Sequence, residues 1–202
     1  MRRILIGLAM LGLAGCSISQ QRKETDQCDR VAAATIDQRI AACSRLLETP
    51  HTASVKSLIY YDRGIAYGVQ GAFDPAIADF TEVIALKPDF AMAYYSRGLG
   101  YAHKGLYDQA IADFTKAITL KADLAEAFVN RGSAYAHKGA LDQAIADHTR
   151  AIALKPDDAL AYNDRGFAYL KKGAFDQAIA DSTKAIALKP DGAPAYDIRG
   201  SA

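Results

Sequence analysis

The sequence predicts an all-α protein, an α-solenoid in which antiparallel helix pairs stack one on the next. The same residue classes recur every 34 residues, four times between Ser57 and Gly192, and such a period is the mark of a repeat architecture. Within each copy, apolar residues recur three or four positions apart, as on one face of a helix. A glycine divides each copy into two such segments, so each copy should form one helix pair. These glycines are Gly71, Gly105, Gly139 and Gly173.

The ends of the two helices can be read within each copy. The glycine that closes the first segment, such as Gly71, suits a left-handed C-terminal cap. The aspartate that opens the second segment, such as Asp74, suits an N-cap. Pro75 supports this start, because proline is favoured at the first position of a helix. The lysine that closes the second segment, such as Lys87, complements the helix dipole.

A set of small and aromatic positions carries a family resemblance. In the copy that begins at Ala91 these positions are Tyr94, Gly98, Tyr101, Gly105, Tyr107, Ala110, Phe114 and Ala117. They resemble the tetratricopeptide repeat, and the resemblance implies a right-handed superhelix with a concave groove lined mainly by the first helices. It covers four repeats without a gap, at residues 57–90, 91–124, 125–158 and 159–192.

The chain departs from the family pattern at two positions. The inner aromatic of the second helix, Phe80 and Phe114, is replaced by His148 and Ser182 in the last two copies. We interpret His148 as a tolerated core substitution. Arginine also stands where the family usually has leucine, at Arg63, Arg97, Arg131, Arg165 and Arg199.

The recurrent arginine has a recurrent aspartate as its candidate partner. Each second helix also carries an aspartate five residues after the opening one, such as Asp79 or Asp113. We predict pairing across the repeat junction, as between Asp79 and Arg97. Pairing within a repeat, as between Asp79 and Arg63, and a solvated charged face are the alternatives.

The chain opens with a leader that predicts export. Residues 1–15 combine an Arg-Arg pair with an apolar run too short to span a membrane comfortably, as in a secretion signal. The sequence from Leu13 to Cys16 resembles a bacterial lipobox. The resemblance implies cleavage before Cys16, acylation of that cysteine with palmitate among its chains, and, from Ser17 next to it, the periplasmic face of the outer membrane. An ordinary cleaved signal with a chance cysteine is the alternative, and residues 16–24 would form a tether.

Residues 25–56 are predicted to form a degenerate first hairpin. The stretch 37–43 reads like the start of a second helix, with a short helix near 25–34 before it and a loop from Pro50 to Lys56 after it. Cys28 and Cys43 lie at heights where the two sulfurs could meet. An exported chain permits a disulfide between them, and two buried thiols are the alternative.

At the other end, residues 193–202 begin a fifth repeat. A segment this short is not a stable helix alone. It therefore either docks as a weak cap on the last full repeat or leaves an edge that recruits a second copy.

Composition excludes several function classes. The 202 residues carry 24 basic and 23 acidic side chains, and removal of Arg2 and Arg3 with the leader leaves 22 against 23. This balance argues against nucleic acid, which requires a basic surface. No phosphate loop, nucleophile elbow or zinc-protease motif is present, so we predict no catalytic residue, no cofactor and no enzyme activity. His103 and His137 occupy equivalent positions about 10 Å apart, too far to share a zinc ion, so we predict no metal site.

The family resemblance assigns the groove-lining positions, which are apolar and aromatic in the first repeats and more polar in the later ones. Exposed aromatics such as Tyr61 and Tyr95 suggest anchors for a partner, although scattered exposed apolar residues are also ordinary. Carboxylate clamping as in chaperone-binding relatives is not expected, because only Asn130 matches that pattern. The predicted groove comprises Leu58, Tyr61, Ile65, Met92, Tyr95, Leu99, His103, Val129, His137, Asn163, Phe167 and Lys171.

These features predict a protein-interaction scaffold that is anchored by lipid in the bacterial envelope and holds a segment of another envelope protein. A structural or assembly subunit of an envelope machine, for secretion, pilus or outer-membrane biogenesis, is the alternative within the same class. An enzyme acting on cell-wall material is the alternative from another class.

Overall fold

The computed structural model describes residues 35–191 and 193–202. Within these residues all regular secondary structure is helical, which confirms the predicted all-α α-solenoid class. The predicted signal peptide, Cys16, the tether, the helix near 25–34 and Cys28 lie outside the described residues. None of the helices in the described part of the chain is long and apolar enough to cross a membrane. The helices are α1 (Ile36–Leu47), α2 (Ala53–Gln70), α3 (Phe73–Leu86), α4 (Ala91–His103), α5 (Tyr107–Leu120), α6 (Ala125–His137), α7 (Leu141–Leu154), α8 (Ala159–Lys171), α9 (Phe175–Leu188) and α10 (Ala193–Ser201).

The chain divides into two compact units, Met1–Pro88 and Asp89–Ala202. In the first unit, α2 packs against both α1 and α3. In the second unit the repeat pairs are α4 with α5, α6 with α7, and α8 with α9, and each second helix packs on the first helix of the next pair. Apolar burial therefore lies between neighbouring helices, as in repeat proteins generally.

The helix ends confirm the predicted glycine caps and correct the predicted aspartate caps. All four glycines have a φ between 74° and 80°, the left-handed conformation that glycine adopts without steric cost. The second helices, however, begin one residue before the aspartate. In α5 the N-cap is Leu106, which makes no side-chain cap, and Asp108 is the second helical residue. There the positive end of the helix dipole stabilises its negative charge. Pro75 is likewise the third residue of α3 and not the first.

Two threonines set the starts of α1 and α2. Thr35 caps α1 and forms a capping box with Gln38. Thr52 accepts a hydrogen bond from the backbone N–H of Val55 at 3.4 Å, so α2 begins at Ala53. The predicted loop up to Lys56 is therefore wrong in its last four residues. Val55 is buried in a cluster with Cys43 and Ile59, and this burial favours the longer helix.

The recurrent arginine pairs with the aspartate of its own repeat, so the predicted pairing across the junction is wrong. Arg131 donates from Nε and Nη2 to the two carboxylate oxygens of Asp147, both at 2.7 Å. The same bidentate geometry recurs for Arg63 with Asp79, Arg97 with Asp113, and Arg165 with Asp181.

The arginine reaches the preceding repeat through a hydroxyl group. Arg131 Nη1 donates to Oγ1 of Thr115 at 2.9 Å, and Arg165 does the same to Thr149 at 3.0 Å. The Arg131 guanidinium also lies 5.6 Å from the ring centre of Phe128. The hydrogen bonds that Arg131 donates to Asp147 raise the pKa of Arg131 above its usual value. One side chain thus joins three helices.

A close contact between a first-helix glycine and the inner aromatic sets the distance between paired helices. A Cβ placed on Gly98 would lie 2.8 Å from Cε1 of Phe114. At the equivalent Gly166, where Ser182 replaces the aromatic, the nearest atom would be 3.3 Å away, on Asp181. Gly98 is therefore required by the Phe114 ring, whereas Gly166 is not under the same constraint.

Gly98→Ala is expected to lower the free energy of unfolding by about 1–3 kcal/mol, because the new methyl group overpacks against a rigid ring. Gly166→Ala is the matched control. It should be neutral or stabilising by up to about 1 kcal/mol, since alanine favours helix more than glycine does. Urea denaturation of the two variants measures the difference. Equal destabilisation by both substitutions would contradict this account of the aromatic contact.

The partial fifth repeat docks on the array. Helix α10 packs against α8 and α9, with Ala195 and Ile198 buried. The Tyr196 hydroxyl donates to the backbone oxygen of Pro190 at 3.2 Å. The segment therefore covers part of the last full repeat, and self-association through this edge stays a prediction.

Candidate functional site

The first helices of the second unit lie side by side, and polar contacts join them. Asn130 Nδ2 on α6 donates to the Tyr95 hydroxyl on α4 at 3.2 Å. Ser133 Oγ on α6 donates to Oδ2 of Asp164 on α8 at 3.2 Å. We call the surface along α4, α6 and α8 the first-helix face. It carries most of the predicted groove positions, namely Met92, Tyr95, Leu99, His103, Val129, His137, Asn163, Phe167 and Lys171.

The predicted positions differ in the surface that they offer. Phe167 is 43% exposed, and His103, His137 and Lys171 are also exposed. Val129 is only 5% exposed and belongs to a core cluster with Phe128, Ala151 and Ala161. Burial of this kind leaves a side chain little area for contact with a partner.

The two tyrosines predicted as anchors are half-buried and also pack within the fold. The ring of Tyr95 lies 5.9 Å from that of Phe114. In the first unit, Tyr61 lies 5.7 Å from Phe80 in the same way, next to the half-buried Ile65 and Leu58, which is 37% exposed. Each tyrosine therefore supports the inner aromatic as well as presenting part of its ring.

A pocket of about 220 Å³ opens among α6, α7 and α8. Sites for whole small molecules usually measure about 300–1,000 Å³, so this pocket has the size for one side chain. Its lining consists of Ser133, Ala136, His137, His148, Asp164 and Phe167.

His148 forms part of the pocket wall at the position of the missing inner aromatic. It is fully buried, and neither ring nitrogen has a hydrogen-bond partner in the described part of the chain. Burial, followed by the charge of Arg165, lowers the pKa of His148 to about 4. The imidazole is therefore neutral at pH 7.

Asp164 is the acidic group of the pocket. Burial raises the pKa of its carboxyl group, while hydrogen bonds from Asn163 and Ser133 oppose the shift and the negative charge of Asp158 adds to it. The Asn163 amide donates to Oδ1 of Asp164 at 3.3 Å. The amide oxygen of Asn163 is itself buried without a donor among the described residues. The acceptor that this side of the pocket exposes is therefore the Asp164 carboxylate.

Two ring contacts frame the pocket. His137 stacks on Tyr107 with the ring centres 4.7 Å apart and the planes at 4°. Lys171 Nζ lies 5.2 Å from the ring centre of Phe167. Among the described residues no three His, Cys, Asp or Glu side chains are grouped closely enough to hold a metal ion.

Asp164 was not among the positions predicted from the sequence. Its position in the repeat carries Asp62, Ser96, Asn130 and Asp164 in the four copies, so it is a polar position that varies. A polar position that varies among otherwise similar copies was the signal from which Asp164 could have been found. His148 was recognised only as a substitution in the core, and the sequence did not place the two side chains at one pocket.

Comparison with known proteins identifies the repeats. Family models described as tetratricopeptide or TPR repeats match residues 61–125, 132–173 and 159–191. No curated protein sequence matches the chain.

Solved structures resemble it over most of its length. A crystal structure of MamA has 27% identity and a TM-score of 0.74, covering 82% of this chain and 96% of that one. YrrB, described as a TPR protein with an unusual peptide-binding site, has 21% identity and a TM-score of 0.75, covering 88% and 90%. MamA from Desulfovibrio magneticus RS-1, from residue 41 to its end, has 20% identity and a TM-score of 0.75, covering 86% and 96%. At the two lower identities the likeness concerns the fold alone.

Proposed function

We propose that this chain, which belongs to the tetratricopeptide repeat family, is a lipid-anchored adaptor that holds a segment of another protein of the bacterial envelope. The observation that carries the proposal is the first-helix face, where exposed Phe167 borders a pocket of side-chain size. A mainly apolar pocket with a few polar groups beside an exposed aromatic is typical of a site that receives one side chain of a partner.

The anchoring part of the proposal rests on the sequence from Leu13 to Cys16. Acylation of Cys16 would hold the chain at the periplasmic face of the outer membrane, since several acyl chains bind a bilayer far more firmly than one. The protein would then act by localisation, because tethering raises the effective concentration of a bound partner without any chemical step.

One experiment with two variants tests both parts. The chain is expressed with a C-terminal tag in the source bacterium, its membranes are separated, and proteins bound to it are cross-linked and identified. Wild-type protein should fractionate with the outer membrane and recover a specific partner. Cys16→Ser should shift the protein out of the membrane fraction, and Phe167→Ala should reduce partner recovery while leaving the fractionation unchanged.

Phe175→Ala is the matched control, because Phe175 is 49% exposed but lies on a second helix. It should retain the partner. Membrane association that does not depend on Cys16 would reject the lipid anchor. Equal recovery by both phenylalanine variants would reject the first-helix face as the binding surface, and a fixed set of stoichiometric partners would support the assembly-subunit alternative.

A further inference from the structure

The pocket on the first-helix face contains more hydrogen-bond acceptors than donors. A carboxylate offers about four acceptor positions. Asp164 receives hydrogen bonds from Ser133 and Asn163 at 3.2 and 3.3 Å, both longer than the roughly 2.7–2.9 Å of charge-assisted bonds. No lysine or arginine in the described part of the chain forms an ion pair with Asp164. Its negative charge therefore has no lysine or arginine partner among the described residues. Burial raises the pKa of its carboxyl group, and His137 in the same pocket is the basic group that lowers this pKa.

Two neighbouring groups add to the same imbalance. The amide oxygen of Asn163 is buried and has no donor, and His148 in the wall is buried with both ring nitrogens unpartnered. A neutral imidazole keeps one nitrogen as an acceptor. These buried atoms are out of reach of a guest, so Asp164 is the acceptor that a guest meets, and an apolar guest would leave its remaining acceptor positions unpaired.

The surrounding charges favour a cationic guest over an anionic one. Asp158 is close enough to Asp164 to raise its pKa, so a second negative charge lies nearby. His137 is the basic side chain in the lining, and the ammonium group of Lys171 lies against the ring of Phe167. That contact shows that the ring accepts a cation at this distance, as aromatic faces do. An anionic group entering the pocket would instead face the Asp164 carboxylate.

We infer that the pocket formed by Ser133, His137, His148, Asp164 and Phe167 binds the basic side chain, arginine or lysine, of the segment held by this protein. The side chain would donate to Asp164 and lie against Phe167. Arginine brings five donors and lysine three, and neither brings an acceptor. The inference rests on the proposed function, and it names the chemistry by which the protein recognises its partner.

Synthetic peptides test the inference directly. The purified mature protein is titrated into fluorescein-labelled pentapeptides of sequence Ala-Leu-Xaa-Leu-Ala, in which Xaa is arginine, its uncharged isostere citrulline, or glutamate, and anisotropy is recorded. The arginine peptide should bind roughly tenfold more tightly than the citrulline peptide, because only arginine brings the charge that pairs with a desolvated carboxylate. The glutamate peptide should bind most weakly.

Asp164→Asn should remove the preference for arginine while leaving the affinity for citrulline unchanged. Asp62→Asn is the matched control, since Asp62 occupies the same repeat position in the first unit. It should retain the preference. Equal affinity of the wild-type protein for arginine and citrulline, or no binding of either peptide at millimolar concentration, would overturn the inference without requiring any variant to fold.

The two proposals fail separately. Specific partner recovery in the envelope without an arginine preference would reject the basic side chain and retain the adaptor. An arginine preference without partner recovery that depends on Phe167 would support the pocket chemistry and reject the adaptor function.

Discussion

Asp147→Ala is expected to lower the free energy of unfolding by about 3–5 kcal/mol, because it leaves the Arg131 guanidinium between α6 and α7 without its counter-charge. The carboxylate of Asp147 accepts two hydrogen bonds from Arg131, each at 2.7 Å. The two side chains are only 17% and 9% exposed. Water therefore replaces the lost interaction incompletely, and urea denaturation measures the loss.

A surface variant on the same helix separates burial from charge. Asp142 pairs with Lys172, but its side chain is 81% exposed. Exposed pairs contribute about 0–1 kcal/mol, so Asp142→Ala should change the free energy of unfolding by less than about 1 kcal/mol. A loss as large as that of Asp147→Ala would show that removal of any aspartate from α7 is destabilising, whatever its burial.

The double variant Arg131→Leu/Asp147→Ala tests the coupling between the two charges. Removing both charges together avoids the uncompensated buried guanidinium, so the double variant should lose less stability than the sum of the two single variants. Leucine is also the usual residue of the family at this position. Strictly additive losses would contradict a coupled ion pair.

The repeat period explains why the helix pairs were predictable. Every copy repeats the same apolar spacing and the same glycine, so four copies support one interpretation. The period could not choose between the two pairings, because the first-helix arginine and the mid-helix aspartate both recur once in every copy. The spacing from Arg131 to Asp147 and the spacing from Asp147 to Arg165 both recur along the array. Only the packing of α6 on α7 decides which arginine pairs with Asp147.

The predicted N-caps of the second helices were wrong for a local reason. Asp108 has the side chain of an N-cap, but the helix already includes Tyr107, whose ring stacks on His137 of the next repeat. A contact between repeats therefore accompanies the earlier start. By contrast, Thr35 and Gln38 have the spacing of a capping box, so the sequence did contain the signal for the start of α1.

The pocket was less predictable than the fold because it is built from departures from the pattern. His148 comes from the third copy and Asp164 from the fourth, and each is a residue in which its copy differs from a neighbouring one. A periodic sequence shows where copies differ. It does not show which differences meet in space, since that depends on the packing of α6, α7 and α8.

His148→Phe is expected to stabilise the protein most strongly in acid. The pKa of His148 is about 4 in the folded protein against an ordinary value of 6.5, so the unfolded chain binds the proton more readily between these two pH values. The contribution of His148 to stability is therefore fully present above pH 6.5 and is lost as the pH falls toward 4. The shift corresponds to about 3 kcal/mol at most. Phenylalanine cannot be protonated, so the variant should lose this part of the pH dependence.

Urea denaturation at pH 7, 5.5 and 4.5 measures the effect, with His103→Ala as the control because His103 is exposed on α4. The control should keep the wild-type pH profile, and parallel profiles for wild type and His148→Phe would contradict the assignment.

Phenylalanine also fits the local packing. Gly132 approaches the His148 ring as closely as Gly98 approaches the Phe114 ring. A Cβ placed on either glycine would lie 2.8 Å from Cε1 of the facing ring. The space for an aromatic is thus already present, and a neutral imidazole fills it while leaving two nitrogens unpaired, so phenylalanine should also be favoured at pH 7.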